Sequence, residues 1–138
     1  MGEVSQRRRA RELALQVLFQ KEFVADVDIE TSLAYFRDHL EISQDALEYA
    51  RSVLEGIERN KKEIDQILQA SSRNWKISRM SPVDLSLLRI GIYELRFTDD
   101  VPPKSVINEA IEIAKRYSGT DSPQFINGVL DDILRSKN

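Results

Sequence analysis

Two groups of cations are the side chains of this 138-residue chain best able to do chemistry. The first is Arg7, Arg8, Arg9 and Arg11. The second is Arg73, Lys76 and Arg79, in a stretch with no acidic residue between Asp65 and Asp84. Residues 1–11 set four arginines against Glu3, a net +3, while the whole chain carries −3, which leaves −6 for the remainder. A basic segment on an acidic body is the charge pattern of a polyanion binder. Four cations at the start of a helix also oppose its dipole. They are poorly placed for stability, which favours a binding role over a solvated helix end. That role requires guanidinium groups that are not tied up in ion pairs inside the fold.

Aromatic residues accompany both groups. Phe19 and Phe23 share a helical stripe with Arg8 and Leu15, and such rings either pack against a second layer or stack on unpaired bases. Trp75, the only tryptophan, lies among the second group of cations. Its spacing suits a plug beneath the following helix, packed with Ile77 and Met80. The chemistry of catalysis is thin. There is no cysteine, no glycine-rich phosphate loop and no metal-ligand spacing. His39 is a lone histidine expected at the surface, and Asp99/Asp100 and Asp131/Asp132 read as a turn and a solvated helix face. A non-enzyme is expected, with no cofactor.

The elements that must position these residues are helices. Hydrophobic content of 41%, charged content of 31%, five glycines and four prolines describe a globular, helix-rich chain. No apolar run approaches the ~20 residues of a membrane span. No apolar segment follows the basic N-terminus, so no signal peptide and a cytoplasmic location are expected. From Val83 to Phe97 apolar residues cover the whole circumference of a helix, as for a rod in the middle of a bundle. Ser81 is its expected N-cap, with Pro82 at N1 and Asp84 at N3, close to a capping box. Gly91, in its middle, predicts a close helix crossing.

Around this rod the periodicity predicts helices over Gln6–Phe23, Ile29–Leu40, Ser43–Asn60, Lys61–Ser71, Lys104–Tyr117 and from Pro123 onward. The third and fourth form either two helices or one with a kink at Arg59-Asn60-Lys61. Gly119 suits a left-handed C′ position, and Asp121 or Ser122 caps the last helix. The expected fold is all-α: a bundle of about seven helices around the central apolar helix 81–97, forming one domain over 1–138 with packed subdomains of about 1–80 and 81–138.

Four segments give the chain a family likeness: RRRARELALQVLFQ at 7–20, Trp75 through SPVDLSLLRIGIYEL, INEAIEIAKRY up to Tyr117, and DSPQFINGVLDDI at 121–133. Their order and spacing over nearly the whole chain resemble the transcription antitermination factor NusB family. The resemblance implies a factor that binds the boxA element of nascent RNA, ribosomal RNA operons included. It would do so together with NusE, a small-subunit ribosomal protein, in an antitermination complex on RNA polymerase. It also implies RNA-binding roles for Arg7, Arg8, Arg9, Arg11, Phe19, Arg73, Lys76, Arg89, Asp121 and Phe125, and partner contacts for Gln16 and Asp84. Phe19 stands where many relatives have Tyr, and Gln124 where many have Lys before the Phe. Asn127 either touches RNA or bonds backbone in the bundle. A homodimer through the first helix would cover the arm. Two rival readings are the RNA-binding module of a ribosomal RNA methyltransferase and a helical adaptor that binds no RNA.

Overall fold

A computed structural model describes residues 3–136, with side chains from Gln6 to Ser136. The chain forms α1 (Glu3–Phe23), α2 (Ile29–His39), α3 (Gln44–Ser71), a 3₁₀ turn (Ile77–Arg79), α4 (Pro82–Arg96), α5 (Pro103–Tyr117) and α6 (Ser122–Arg135). The all-helical bundle expected from the sequence is thus observed. The two segments left open as one kinked helix or two are the single helix α3. Its kink sits at Asn60, which leaves helical geometry (φ −117°, ψ 17°) while its side-chain amide donates to the Gly56 carbonyl at 2.8 Å.

Eleven consecutive residues of α4, Leu85 to Leu95, are buried. This helix packs against α1, α3, α5 and α6, so apolar side chains on every side of it find partners. Ser81 caps it by accepting the Asp84 N–H at 3.1 Å. The reciprocal half of a capping box is absent, because the Asp84 carboxylate is engaged elsewhere. Ser43 and Asp28 cap α3 and α2 in the same way, accepting from Ala46 and Thr31.

Gly91 does mark a close crossing: a Cβ there would stand 2.9 Å from both Leu130 methyls of α6. A second crossing, α3 on α4, runs through Gly56, where an added Cβ would overlap the Tyr93 ring. At the other end of α4, Arg96 donates to the Ile133 carbonyl at 3.0 Å and so closes the C-terminus of α6.

Three local expectations are corrected. Gly119 does not take the left-handed conformation, because α5 stops at an extended Ser118 whose N–H already bonds the Ala114 carbonyl. Asp121 occupies the N-cap position of α6 without a side-chain cap bond. Trp75 is not a plug, as the residue is 51% exposed.

Candidate nucleic-acid interface

The N-terminal arginines are continuous with α1, and the helix turns them toward different neighbours. Arg8 makes a bidentate pair with Glu109 of α5 at 2.8 and 2.9 Å and stays partly exposed. Arg11 is 4% exposed and makes a bidentate pair with Glu94 of α4, itself 1% exposed, at 2.9 Å on both arms. The Tyr49 hydroxyl donates to the same Glu94 carboxylate. Burial opposes the charge on Arg11, but its bonds to Glu94 outweigh that and leave the guanidinium more firmly protonated than a free arginine.

Arg11 therefore corrects the expectation of a phosphate ligand. It is an internal rivet between α1 and α4. Arg89 is corrected for the same reason. It is buried and bidentate to Asp65 of α3 at 2.9 and 3.0 Å, with Glu22 of α1 at 2.9 Å on its third nitrogen. Desolvation of either group is tolerable only because carboxylates meet it.

What remains of the arm is Arg7 and Arg9. Arg9 is exposed and makes no ion pair among the described residues. Arg7 is half-buried, its guanidinium carbon 4.7 Å from the centre of the Tyr49 ring, a cation–π contact that holds the group at the surface. Tyr49 thus sits between the retained cation and the buried pair. Position 49 carries no signal in the sequence, because its partners come from residues 7, 11 and 94.

Tyr49 also makes a pH dependence. Burial first, then the nearby Glu94 charge and the hydrogen bond to it, push the phenol far above its ordinary value of 10. A raised acid contributes to stability in full below its unfolded value. That contribution is lost as pH climbs from about 10 toward the folded value, since only the unfolded chain then releases the proton. In an absorbance titration the Tyr49 phenol should stay silent until alkaline unfolding, so Tyr49→Phe should lower the absorbance step that accompanies unfolding.

Arg9, Gln16 and Phe19 are seven and three residues apart and share an exposed stripe of α1. Phe19 is 39% exposed and its ring lies 5.1 Å from that of Phe23, whereas Leu15, predicted on the same stripe, is buried. Beside this stripe Glu12 accepts from Arg116 at 2.9 Å, which sets the C-terminal end of α5 next to α1.

The second cationic group stands at the opposite end of α4. Ten residues separate Asp84 from Glu94, about 15 Å along a helix at 1.5 Å per residue. Here Trp75, Arg79, Met80, Asp84, Asp121 and Phe125 line one cleft. The Trp75 and Phe125 rings meet edge to face at 6.0 Å and 67°. Arg73, Lys76 and Arg79 are exposed around them, and so is the Asp121 residue. Asp84 accepts from the Ser118 and Ser122 hydroxyls at 2.6 and 2.9 Å, so its carboxylate braces the start of α6 as well as lining the cleft. Asn127 is exposed at the surface of α6.

The arrangement offers cations, exposed rings and polar groups around a shallow cleft. Among the described residues no group of His, Cys, Asp or Glu could hold a metal ion, and no helix is long and apolar enough to cross a membrane.

A family model described as the NusB family matches residues 8–135. The chain is 45% identical over 132 residues to the transcription antitermination protein NusB of Bdellovibrio bacteriovorus, covering 95% of this chain and 96% of that protein. A structure of T. maritima NusB matches with a TM-score of 0.83 at 39% identity, over 94% of this chain and 91% of the other. A crystal structure of the antitermination factors NusB and NusE in complex with dsRNA matches with a TM-score of 0.86 at 27% identity, over 96% and 98%.

Proposed function

This chain belongs to the NusB family, and we propose that it is a transcription antitermination factor that binds RNA together with NusE and acts by binding, without catalysis. The RNA is a single-stranded boxA-type element of nascent transcripts, ribosomal RNA operons included, and the complex acts on RNA polymerase in the cytoplasm. The observation that carries this reading is the exposed Trp75 ring among Arg73, Lys76 and Arg79 at one end of α4, together with the surface cations Arg7 and Arg9 at the other end, on a helix whose outer stripe carries the exposed Phe19 ring. Rings open to solvent suit unstacked bases, which a continuous duplex does not present. The dsRNA in the related complex makes strandedness part of the test.

In this reading Arg7, Arg9, Arg73 and Lys76 meet phosphates, Phe19, Asp121 and Phe125 lie along the strand, and Gln16 faces NusE. Arg8 joins only by giving up Glu109. Arg11 and Arg89 hold the helices that carry the others. Asp84 contributes to NusE binding through the position it gives α6.

Four phosphate contacts on a single strand predict that log affinity falls against log salt with a slope of roughly −3, from about −0.7 per contact. Titrating labelled boxA RNA, a scrambled strand and a duplex across a salt series, with and without NusE, checks this. A slope near zero, or equal affinity for all three RNAs, would remove the cations or the sequence reading respectively. Exchanging Arg7 and Arg9 for Ala should flatten the slope by about half.

A further inference from the structure

We propose that Trp75 is the platform on which one base of the bound strand stacks, and that Phe125 and Gln69 hold it in place without being platforms themselves. The inference rests on the single-strand reading above. It adds a base-contacting residue that the sequence assigned to the core and changes the part played by Phe125.

A tryptophan ring half open to solvent on a folded chain calls for a reason, because burying it is ordinarily favourable. Here the ring is not loose. The Trp75 N–H bonds the Ser72 carbonyl at 3.0 Å. Gln69 of α3 then clasps the loop on both sides of the ring: its amide donates to the Trp75 carbonyl at 3.0 Å and its oxygen accepts the Ile77 N–H at 3.2 Å. The 3₁₀ turn that follows closes with bonds from Arg79 and Met80 to the Lys76 and Ile77 carbonyls. Bonds at Trp75, Ile77, Arg79 and Met80 tie the loop around an indole half open to solvent. A surface ordered in advance loses little freedom when it binds.

Phe125 is half-buried against the core and meets Trp75 edge to face. Rings crossed at 67° and 6.0 Å leave no slot between them for a base. Stacking is left to the solvent-exposed part of Trp75, and the half-buried Phe125 braces the ring from the core side. Arg73, Lys76 and Arg79 flank that face within four residues of the ring. Asp84 already accepts from two serine hydroxyls, and the exposed Asp121 carboxylate is the freer acceptor that the cleft offers to the amino edge of a base. Cations beside an open π-face match a base with its phosphates better than a protein side chain, since aromatic stacking tolerates every base while the cations track the backbone.

Trp75 is the sole tryptophan, so its fluorescence reports this one contact. The full chain is titrated with labelled single-stranded boxA RNA. Anisotropy of the label follows binding, and indole emission follows the ring. Emission should be quenched in step with binding, and acrylamide should lose access to the ring at saturation. Trp75→Ala should weaken binding roughly ten- to a hundredfold, with helical circular dichroism unchanged, and Trp75→Phe should retain most of it. Gln69→Leu, which unties the loop but keeps the ring, should lower the anisotropy of indole emission and RNA affinity together.

RNA that binds with no change in emission and equally well to Trp75→Ala would overturn the platform and leave the RNA reading standing. Absence of RNA binding would end both. Emission that responds to NusE but not to RNA would make the ring a protein contact and overturn the proposal. A Gln69→Leu variant with a loosened ring and unaltered affinity would remove Gln69 from it.

Discussion

Replacing Arg11 by Ala should destabilise the protein by about 3–5 kcal/mol, the cost of leaving a buried charge without its partner. Glu94 is 1% exposed, and its oxygens accept two bonds from Arg11 and one from Tyr49. Glu109, which stands 3.9 Å from Arg11 in the native fold, is a carboxylate and cannot replace the lost cation. Thermal unfolding should move down by roughly 10–20 °C for a domain of this size. Replacing both partners by apolar residues of similar volume, Arg11→Met with Glu94→Leu, should recover much of the loss, because the desolvation cost then disappears with the charges. If Arg11 were instead a phosphate ligand, Arg11→Ala would keep its melting temperature and reduce the salt slope of RNA binding. The measurement therefore also decides which side of the molecule this arginine serves.

Gly56→Ala should cost about 2–3 kcal/mol, against the ordinary gain of up to about 1 kcal/mol from alanine inside a helix. The added methyl would overlap the Tyr93 ring. That ring is only 8% exposed and lies parallel to Phe97 at 6.1 Å, so it has nowhere to turn. The helices must separate, and α4 carries the rest of the bundle. Gly91→Ala makes the comparison. Its methyl would meet only the ends of the Leu130 side chain at 2.9 Å, a flexible group, so the loss there should be small. Urea unfolding of the two variants side by side should separate them clearly. Combining Gly56→Ala with a smaller residue at 93 should give less than the sum of the two single losses, since both act on one contact. Equal stability for the two glycine variants would show that α3 and α4 have room to move.

Much of the architecture could be read from the chain before any coordinates. An apolar circumference from Val83 to Phe97 can be satisfied only by neighbours on all sides, and the structure supplies α1, α3, α5 and α6 around it. Capping by Ser43 and Ser81 is local chemistry, decided within three residues. The close approach at Gly91 was also legible, because a glycine inside such a rod has few other uses. Gly56 was not singled out: it lies in a helix with an ordinary stripe, and its partner Tyr93 is 37 residues away.

The sequence by itself determined the charge inventory, the all-helical class and the family likeness, because composition, periodicity and motif spacing are properties of the chain. It could not say which arginine meets water. Arg7, Arg8, Arg9 and Arg11 are alike in sequence, yet one helical turn points them at a tyrosine ring, a carboxylate of α5, solvent and a buried carboxylate of α4. Tertiary structure alone decided this, since the carboxylates that claim Arg8 and Arg11 arrive from residues 109 and 94. The same holds for Trp75. Its neighbours in sequence suggested a plug, but the loop that Gln69 clasps holds it half exposed, crossed against the Phe125 ring. A side chain's type sets what it can do; the partners that fold against it set what it is left free to do.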